Sequence, residues 1–182
     1  EETSEAEKLF WGRQSVYQVY NLLVFHKKSS TQQILHALKY KGDQNLAVFM
    51  GELIAHRFKA RESDHPIDAI VPIPLHDKKE FKRGYNQSML ICKGINKVNG
   101  IPVVELLKRK RHHESQTKKD RFERWDNVKD IFEVVPSNLN GMKHVALVDD
   151  LLTTGSTLES GIMAIKLYNP EIQISILTIA KA

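Results

Sequence analysis

The chain has 182 residues, of which 41% are hydrophobic, and a formal net charge of +5, so we expect one domain with one sizeable core. No run approaches the roughly 18 consecutive apolar residues of a membrane-spanning helix, and the acidic residues 1–7 do not resemble a signal peptide. The single cysteine, Cys92, excludes an intramolecular disulfide and a cysteine-based zinc site, which favours a reducing, cytoplasmic location. Because the sequence starts without methionine, we expect a fragment or a processed form.

In chain order, the first predicted element is a strand within residues 15–26. Ser30 to Gln33 has the spacing of a capping box, at the start of a helix that ends near Gly42. Asp43 can cap a second helix, and Asn86 can cap a third that stops at Asn99 and Gly100. Apolar runs predict further strands at 68–74, 103–107, 131–135, 144–148 and 172–179, and a helix that carries Leu158, Ile162 and Ile165.

This alternation of strands and helices predicts an α/β domain with a central, mostly parallel sheet flanked by helices. Ligands of such sheets bind at the carboxyl ends of the strands. The two most informative motifs of the sequence both follow predicted strands. We therefore expect both of them at the same edge of the sheet.

The first motif follows the predicted strand at 144–148. Asp149 and Asp150 come first, and their carboxylates can accept hydrogen bonds from vicinal ribose hydroxyls. The next segment leads into a helix, where backbone N–H groups and hydroxyls can hold a phosphate, and Gly155 lets the backbone approach that anion closely. The phosphate-binding segment would consist of Thr153, Thr154, Gly155, Ser156 and Thr157.

A simpler interpretation of the same residues is a capped strand-to-helix turn with acidic residues at the strand end. Short turns that contain Thr and Gly are common. It is uncommon to find the complete order present here, in which a hydrophobic strand is followed by two aspartates, an aliphatic pair and Thr-Thr-Gly-Ser-Thr. This order therefore favours a site for a ribose that carries a 5-phosphate.

The second motif is the Pro-punctuated loop into which the predicted strand at 68–74 runs. This loop contains Pro74, Leu75, His76 and Lys78, and it continues to Arg83. Exposed backbone amides together with basic side chains suit a doubly charged leaving group such as pyrophosphate. The alternative is that Arg83 and the lysines are surface charges and that His76 is an ordinary loop residue.

The net positive charge lies in residues 108–124, which hold eight Lys or Arg and three Asp or Glu. Such a long basic segment without an apolar period indicates a lid or binding loop, or a solvated excursion. Its partner would be anionic: phosphate, nucleotide or nucleic acid. Phe122 and Trp125 lie among these charges and could stack on bases or anchor the segment to the core.

Residues 145–157 resemble the signature of type I phosphoribosyltransferases at every position of that pattern. Further segments at 10–13, 38–42, 71–74 and 83–87 resemble the ComF family, whose amidophosphoribosyltransferase-like proteins are linked to DNA uptake in competent bacteria. The resemblance spans about residues 10–182. Members often carry an N-terminal four-cysteine zinc segment, which this sequence lacks. Either that segment lies upstream or this member has none.

The resemblance implies a type I phosphoribosyltransferase fold with an N-terminal tail and small hood over residues 1–45 and a core over 46–182. It implies that Lys39, Tyr40 and Lys41 are candidates for the acceptor side. Residues 108–128 would form a flexible loop that closes over the substrate and excludes water.

The implied reaction transfers a 5-phosphoribosyl group from phosphoribosyl pyrophosphate (PRPP) to a nitrogen acceptor. Asp149, Asp150 and Arg83 would be the catalytic residues, residues 153–157 would grip the 5-phosphate, and Pro74, Leu75, His76 and Lys78 would form the pyrophosphate loop. Mg²⁺ would bind through the PRPP phosphates, with no direct protein ligand. Two alternatives remain open: a nucleotide-binding protein without turnover, and an accessory protein of natural transformation that contacts single-stranded DNA or a competence helicase.

Overall fold

The structure is a computed structural model, and it describes residues 5–58, 66–110, 131–139 and 141–182. Strands in these ranges are β1 (Gln18–Val24), β2 (Ala69–Pro72), β3 (Leu107–Arg109), β4 (Phe132–Val134), β5 (His144–Leu152) and β6 (Gln173–Lys181). The α-helices are α1 (Ser30–Tyr40), α2 (Gln44–Phe58), α3 (Asp77–Arg83), α4 (Gln87–Asn99) and α5 (Ser156–Tyr168). Two short 3-10 helices cover Glu7–Phe10 and Pro136–Asn138.

The main sheet has four strands in the order β1-β6-β5-β2, and every neighbouring pair is parallel. The small strands β3 and β4 form a separate antiparallel pair. Because parallel strands need crossover connections, helices cover the sheet on both faces. The predicted α/β class with a central parallel sheet flanked by helices is confirmed.

The central strand β5 is buried on both faces, as its continuous hydrophobic run predicts. Val145 and Leu147 belong to the core cluster that contains the apolar side of α5. The alternating residues Ala146 and Val148 belong to the cluster formed with α1, α2 and α4. The side chains of β5 thus anchor two helical layers, and this fixes where the carboxyl end of the strand emerges.

Helices α2 and α4 pack against each other with their backbones almost in contact. A Cβ atom added at Gly51 would lie 2.1 Å from the carbonyl oxygen of Ile91. A Cβ at Gly94 would lie 2.0 Å from the carbonyl oxygen of Val48. Only glycine fits at these two positions, because any side chain would push the helices apart.

Two of the predicted helix caps are confirmed and one moves by a residue. The Asp43 carboxylate accepts a hydrogen bond from Leu46 N–H at 3.0 Å, and the Asn86 side chain caps α4 at Ser88 N–H. The first cap is Ser29, not Ser30, and its Oγ accepts a hydrogen bond from Gln32 N–H at 3.3 Å. Consecutive serines and consecutive glutamines give the capping box two possible registers.

The strand predicted at 103–107 is wrong in its bounds. Val103 makes a single parallel bridge with Ile70, and the regular strand β3 starts only at Leu107. The chain leaves the edge of the main sheet after this bridge and pairs with β4 instead. Lys108 and Arg109, the first residues of the predicted flexible loop, therefore lie in a paired strand.

Strand β1 falls inside the predicted hood, and it forms the edge of the central sheet through its parallel pairing with β6. The boundary at residue 45 between hood and core stays a prediction. No helix in the described ranges combines the length and the apolar character that are needed to cross a membrane.

Candidate functional site

The acidic pair lies inside β5, close to its carboxyl end. Asp149 and Asp150 come three and two residues before the last residue of the strand, and Asp149 is in register with Thr178 of β6. The predicted strand ended at residue 148, but parallel pairing continues to Leu152. Both carboxylates are therefore held on regular backbone instead of a loop, which fixes their positions.

Asp150 is 5% exposed and is held from the face of the sheet that carries α1 and α4. The Lys39 ammonium lies 3.0 Å from its carboxylate Oδ2. The Gln87 amide donates a weaker hydrogen bond to the same oxygen at 3.5 Å. Gln87 in turn accepts a hydrogen bond from the Arg83 guanidinium at 2.8 Å, so Arg83 reaches Asp150 through one intervening side chain.

Asp149 accepts two hydrogen bonds, from its neighbour's N–H at 2.8 Å and from the Ser88 hydroxyl at 3.0 Å. Burial and then the negative charge of Asp150 raise the pKa of Asp149 to about 7. The two hydrogen bonds and the Lys39 charge oppose this shift of the pKa. Asp149 thus titrates near neutral pH, where small changes in its surroundings decide its charge.

The second motif contains a helix that is not predicted from the sequence. Pro74, Leu75 and His76 form the turn after β2, but Lys78 and Arg83 lie in α3. His76 caps this helix, because its Nδ1 accepts a hydrogen bond from Lys78 N–H at 3.2 Å. Gly84 ends it in the left-handed conformation with φ +79°. Pro72 and Pro74 indicate a loop, but both precede α3 and therefore do not prevent a helix from forming after them.

The predicted phosphate-binding segment connects β5 to α5. Thr153 and Thr154 are exposed, and Ser156 is the first residue of α5. Gly155 has φ +78°, and a Cβ there would lie 3.2 Å from the ring of Phe10. The residue must therefore be glycine both for its backbone conformation and because Phe10 packs beside it.

A cleft of about 230 Å³ joins the two motifs. Of the predicted site residues, it brings together Pro74, Leu75, His76, Arg83, Asp149, Asp150 and Thr157. Lys78, Thr153, Thr154, Gly155 and Ser156 do not line it. Four residues with cationic side chains, Lys39, Lys79, Arg83 and Arg109, line this cleft together with the two aspartates.

The roles of Ser88 and Arg109 in the cleft were not predicted from the sequence. Ser88 follows the 83–87 motif directly, and its place in the first turn of α4 was the one available signal. Arg109 was assigned to the flexible loop, but its guanidinium lies 5.5 Å from the Phe132 ring centroid and 3.5 Å from the Pro74 carbonyl oxygen. Burial lowers the pKa of Arg109. Residues 111–128 of the predicted loop, including Phe122 and Trp125, lie outside the described residues.

Three curated proteins show what the chain is similar to. It is 37% identical over 110 residues to competence protein F of Haemophilus influenzae, and this match covers 59% of this chain and 48% of that protein. It is 30% identical over 139 residues to competence protein ComFC of Bacillus subtilis, with coverages of 76% and 54%. The DNA utilization protein YhgH of Escherichia coli is 29% identical, with coverages of 69% and 56%. The chain therefore spans about half the length of the curated relatives that it matches.

Among solved structures, the chain is similar to a glutamine PRPP amidotransferase from Bacillus subtilis, with a TM-score of 0.47 and 17% identity over 73% of this chain and 26% of that one. Because this score is below 0.5, the fold class stands on the sheet order and the flanking helices. No protein-family model matches the chain. The matched competence proteins nevertheless agree with the segments that resemble ComF, and the chain belongs to the ComF family.

Proposed function

We propose that the chain binds Mg²⁺–PRPP in the cleft at the carboxyl end of β5 and transfers its phosphoribosyl group to a nitrogen acceptor. The observation that carries this proposal is the meeting of Asp149 and Asp150 with the turn after β2 and with Thr157 in one cleft. Two carboxylates suit a sugar diol, and four cationic side chains suit a ligand with several phosphate charges.

In this proposal the ribose lies over the end of β5. Its two hydroxyls donate hydrogen bonds to Asp149 and Asp150. A carboxylate offers about four lone-pair sites, so Asp150 can accept a hydroxyl and keep its 3.0 Å contact with Lys39. The 5-phosphate then faces the start of α5, where Thr157 lines the cleft and backbone N–H groups point toward the anion.

The leaving pyrophosphate faces the turn after β2. Arg83 and Lys79 from α3, together with Arg109 from β3, supply positive charge on this side of the cleft. Mg²⁺, when bound with the pyrophosphate, supplies further neutralisation of the leaving group. The residues of the chain hold the ribose while positive charge develops at its C1 atom, so catalysis consists mainly of positioning and electrostatics.

Calorimetric titration with Mg²⁺–PRPP tests the proposal. Native protein should bind, and the variants Asp149→Asn and Asp150→Asn should each bind at least about tenfold more weakly, since each loses a charged acceptor of a hydroxyl. Glu171→Gln is the matched control, because it removes one exposed carboxylate at the opposite end of the sheet. Equal binding by all four proteins would refute the role of the acidic pair, and no binding by native protein would refute the proposal.

Turnover is a separate question from binding. Pyrophosphate release should require both Mg²⁺–PRPP and an acceptor, and a panel of nucleobases and amines would identify the acceptor class. Binding without any pyrophosphate release across such a panel would favour the alternative of a nucleotide-binding protein without turnover.

A second candidate function is contact with single-stranded DNA, and the name of the YhgH relative favours it. Lys108, Arg109 and Lys110 begin the basic segment at β3. If this segment binds along a DNA backbone, the affinity for DNA should fall steeply as the salt concentration rises. The double variant Lys108→Ala/Lys110→Ala should reduce the slope of log affinity against log salt by the equivalent of about two phosphate contacts. No DNA binding at low salt would exclude this function.

A further inference from the structure

The last turn of α1 contacts both motifs of the cleft through three consecutive residues. The Leu38 carbonyl oxygen accepts a hydrogen bond from the Tyr85 hydroxyl at 2.5 Å. Lys39 forms the ion pair with Asp150. The Arg83 guanidinium lies 5.9 Å from the Tyr40 ring centroid. Because Leu38 itself is fully buried, the helix end is fixed in place and Lys39 points at β5 from a rigid anchor.

The acidic pair needs a positive charge close to it. Two neighbouring carboxylates repel each other, and burial adds to the cost of keeping both ionised. The other groups that can carry positive charge in the cleft are His76, Lys79, Arg83 and Arg109. Across the described ranges, none of these forms an ion pair with Asp149 or Asp150, whereas the Lys39 side chain is only 22% exposed and does.

We propose that Lys39 is the positioning residue of the ribose site: its ammonium group holds the Asp150 carboxylate and compensates the charge of the acidic pair, so that both carboxylates can accept ribose hydroxyls. This inference rests on the proposed function. It gives the 38–42 segment a role on the donor side of the cleft, whereas the family resemblance implies that Lys39 is a candidate for the acceptor side.

If Lys39 has this role, its removal should change how ligand binding depends on pH. The Lys39 charge lowers the pKa of Asp149, which burial and Asp150 have already raised to about 7. Without Lys39 we expect that pKa to rise further, so that a larger fraction of Asp149 is protonated at neutral pH. A protonated carboxyl accepts hydroxyl hydrogen bonds less well, and raising the pH restores the carboxylate.

The test is the affinity for Mg²⁺–PRPP, measured by calorimetry from about pH 6 to pH 9. Lys39→Met should bind about tenfold more weakly than native protein near pH 7 and within about threefold near pH 9. Lys39→Arg should recover most of the lost affinity. Lys79→Met is the matched control: it removes a cation from the same cleft that has no ion pair with the acidic pair, so its loss should not vary with pH.

A loss in Lys39→Met that is the same at every pH, as in Lys79→Met, would overturn the proposal. A carboxyl titration of the free protein, followed by NMR, provides a second measurement that needs no ligand. The pKa of Asp149 should rise in Lys39→Met and stay near its native value in Lys39→Arg, and an unchanged pKa in Lys39→Met would also overturn the proposal. No PRPP binding by native protein would instead refute the proposed function, and the carboxyl titration would still decide whether Lys39 compensates the pair.

Discussion

The contact between α2 and α4 and the cleft at the end of β5 are built on opposite principles, although α4 takes part in both. In the contact, Gly51 and Gly94 let two backbones touch, and buried apolar side chains of both helices pack around them. In the cleft, Gln87 and Ser88 from the first turn of the same helix bind the carboxylates of Asp150 and Asp149. In the contact between the helices, the available volume restricts which residues fit. In the cleft, the balance of charges does so. Substitutions should therefore affect stability in the first and ligand binding in the second.

The largest loss of stability is expected for Gly94→Ala. Its Cβ would lie 2.0 Å from the Val48 carbonyl oxygen, and α2 would have to move away along the whole contact. Overpacking of this kind should lower the free energy of unfolding by about 3 kcal/mol, even after the better helix propensity of alanine. Urea unfolding followed by circular dichroism measures the change.

Lys93→Ala is the matched control, because Lys93 is an exposed residue of the same helix. It should change the free energy of unfolding by less than about 0.5 kcal/mol. Gly94→Ala with native stability would show that the two helices can separate freely, and the contrast between the two regions would fail.

In the cleft, Asp149→Asn should raise stability while it weakens ligand binding. The pKa of Asp149 is raised in the folded protein, so the folded state binds more protons than the unfolded state between about pH 4 and pH 7. The contribution of Asp149 to native stability therefore falls as the pH rises through this window. The variant lacks this fall, so its stability relative to native protein should increase from about pH 4 to about pH 8.

Unfolding measured across this pH range shows whether the variant is more or less stable than native protein. A variant that is less stable than native protein at every pH would mean that the hydrogen bonds of Asp149 outweigh the cost of its buried charge. In that case the acidic pair would stabilise the fold, as the contact between α2 and α4 does, and the contrast between the two regions would be lost.

Asn86→Ala should disturb the junction between the two regions. The Asn86 side chain caps α4 at Ser88 N–H and donates a hydrogen bond to the Ile73 carbonyl oxygen at 3.0 Å. Losing the cap should lower the free energy of unfolding by about 1 kcal/mol and also loosen the turn after β2. Asn86→Asp keeps the cap without the donor, so it should retain stability better than Asn86→Ala. Equal losses in both variants would assign the effect to the bond with Ile73.

The smallest effect is expected at the start of α1, the helix that packs on α2 and reaches the cleft through Lys39. Ser29→Ala removes the cap at Gln32 N–H and should lower the free energy of unfolding by about 0.5–1 kcal/mol. Ser30→Ala should have less effect, because Ser30 lies inside the helix. Thermal unfolding of the two variants compares the registers of the capping box, and a larger effect at Ser30 would reverse the assignment.

Much of this architecture could be predicted because it depends on local patterns. The apolar run at 144–148 and the caps at Asp43 and Asn86 each depend on neighbouring residues, and each is present in the structure. The strand at 103–107 could not be placed correctly because its partner decides its bounds: β4, far along the chain, pairs with Leu107 to Arg109. Helix α3 was missed because two prolines precede it.

The sequence by itself determined that Asp149 and Asp150 follow a buried strand and that the segment after them starts a helix, since hydrophobic run, acids, threonines and glycine are adjacent in the chain. Only the tertiary structure decided which groups meet those carboxylates. Lys39, Arg83, Ser88 and Arg109 come from four other elements. Their distances follow from how the helices pack on both faces of the sheet, which no local pattern encodes.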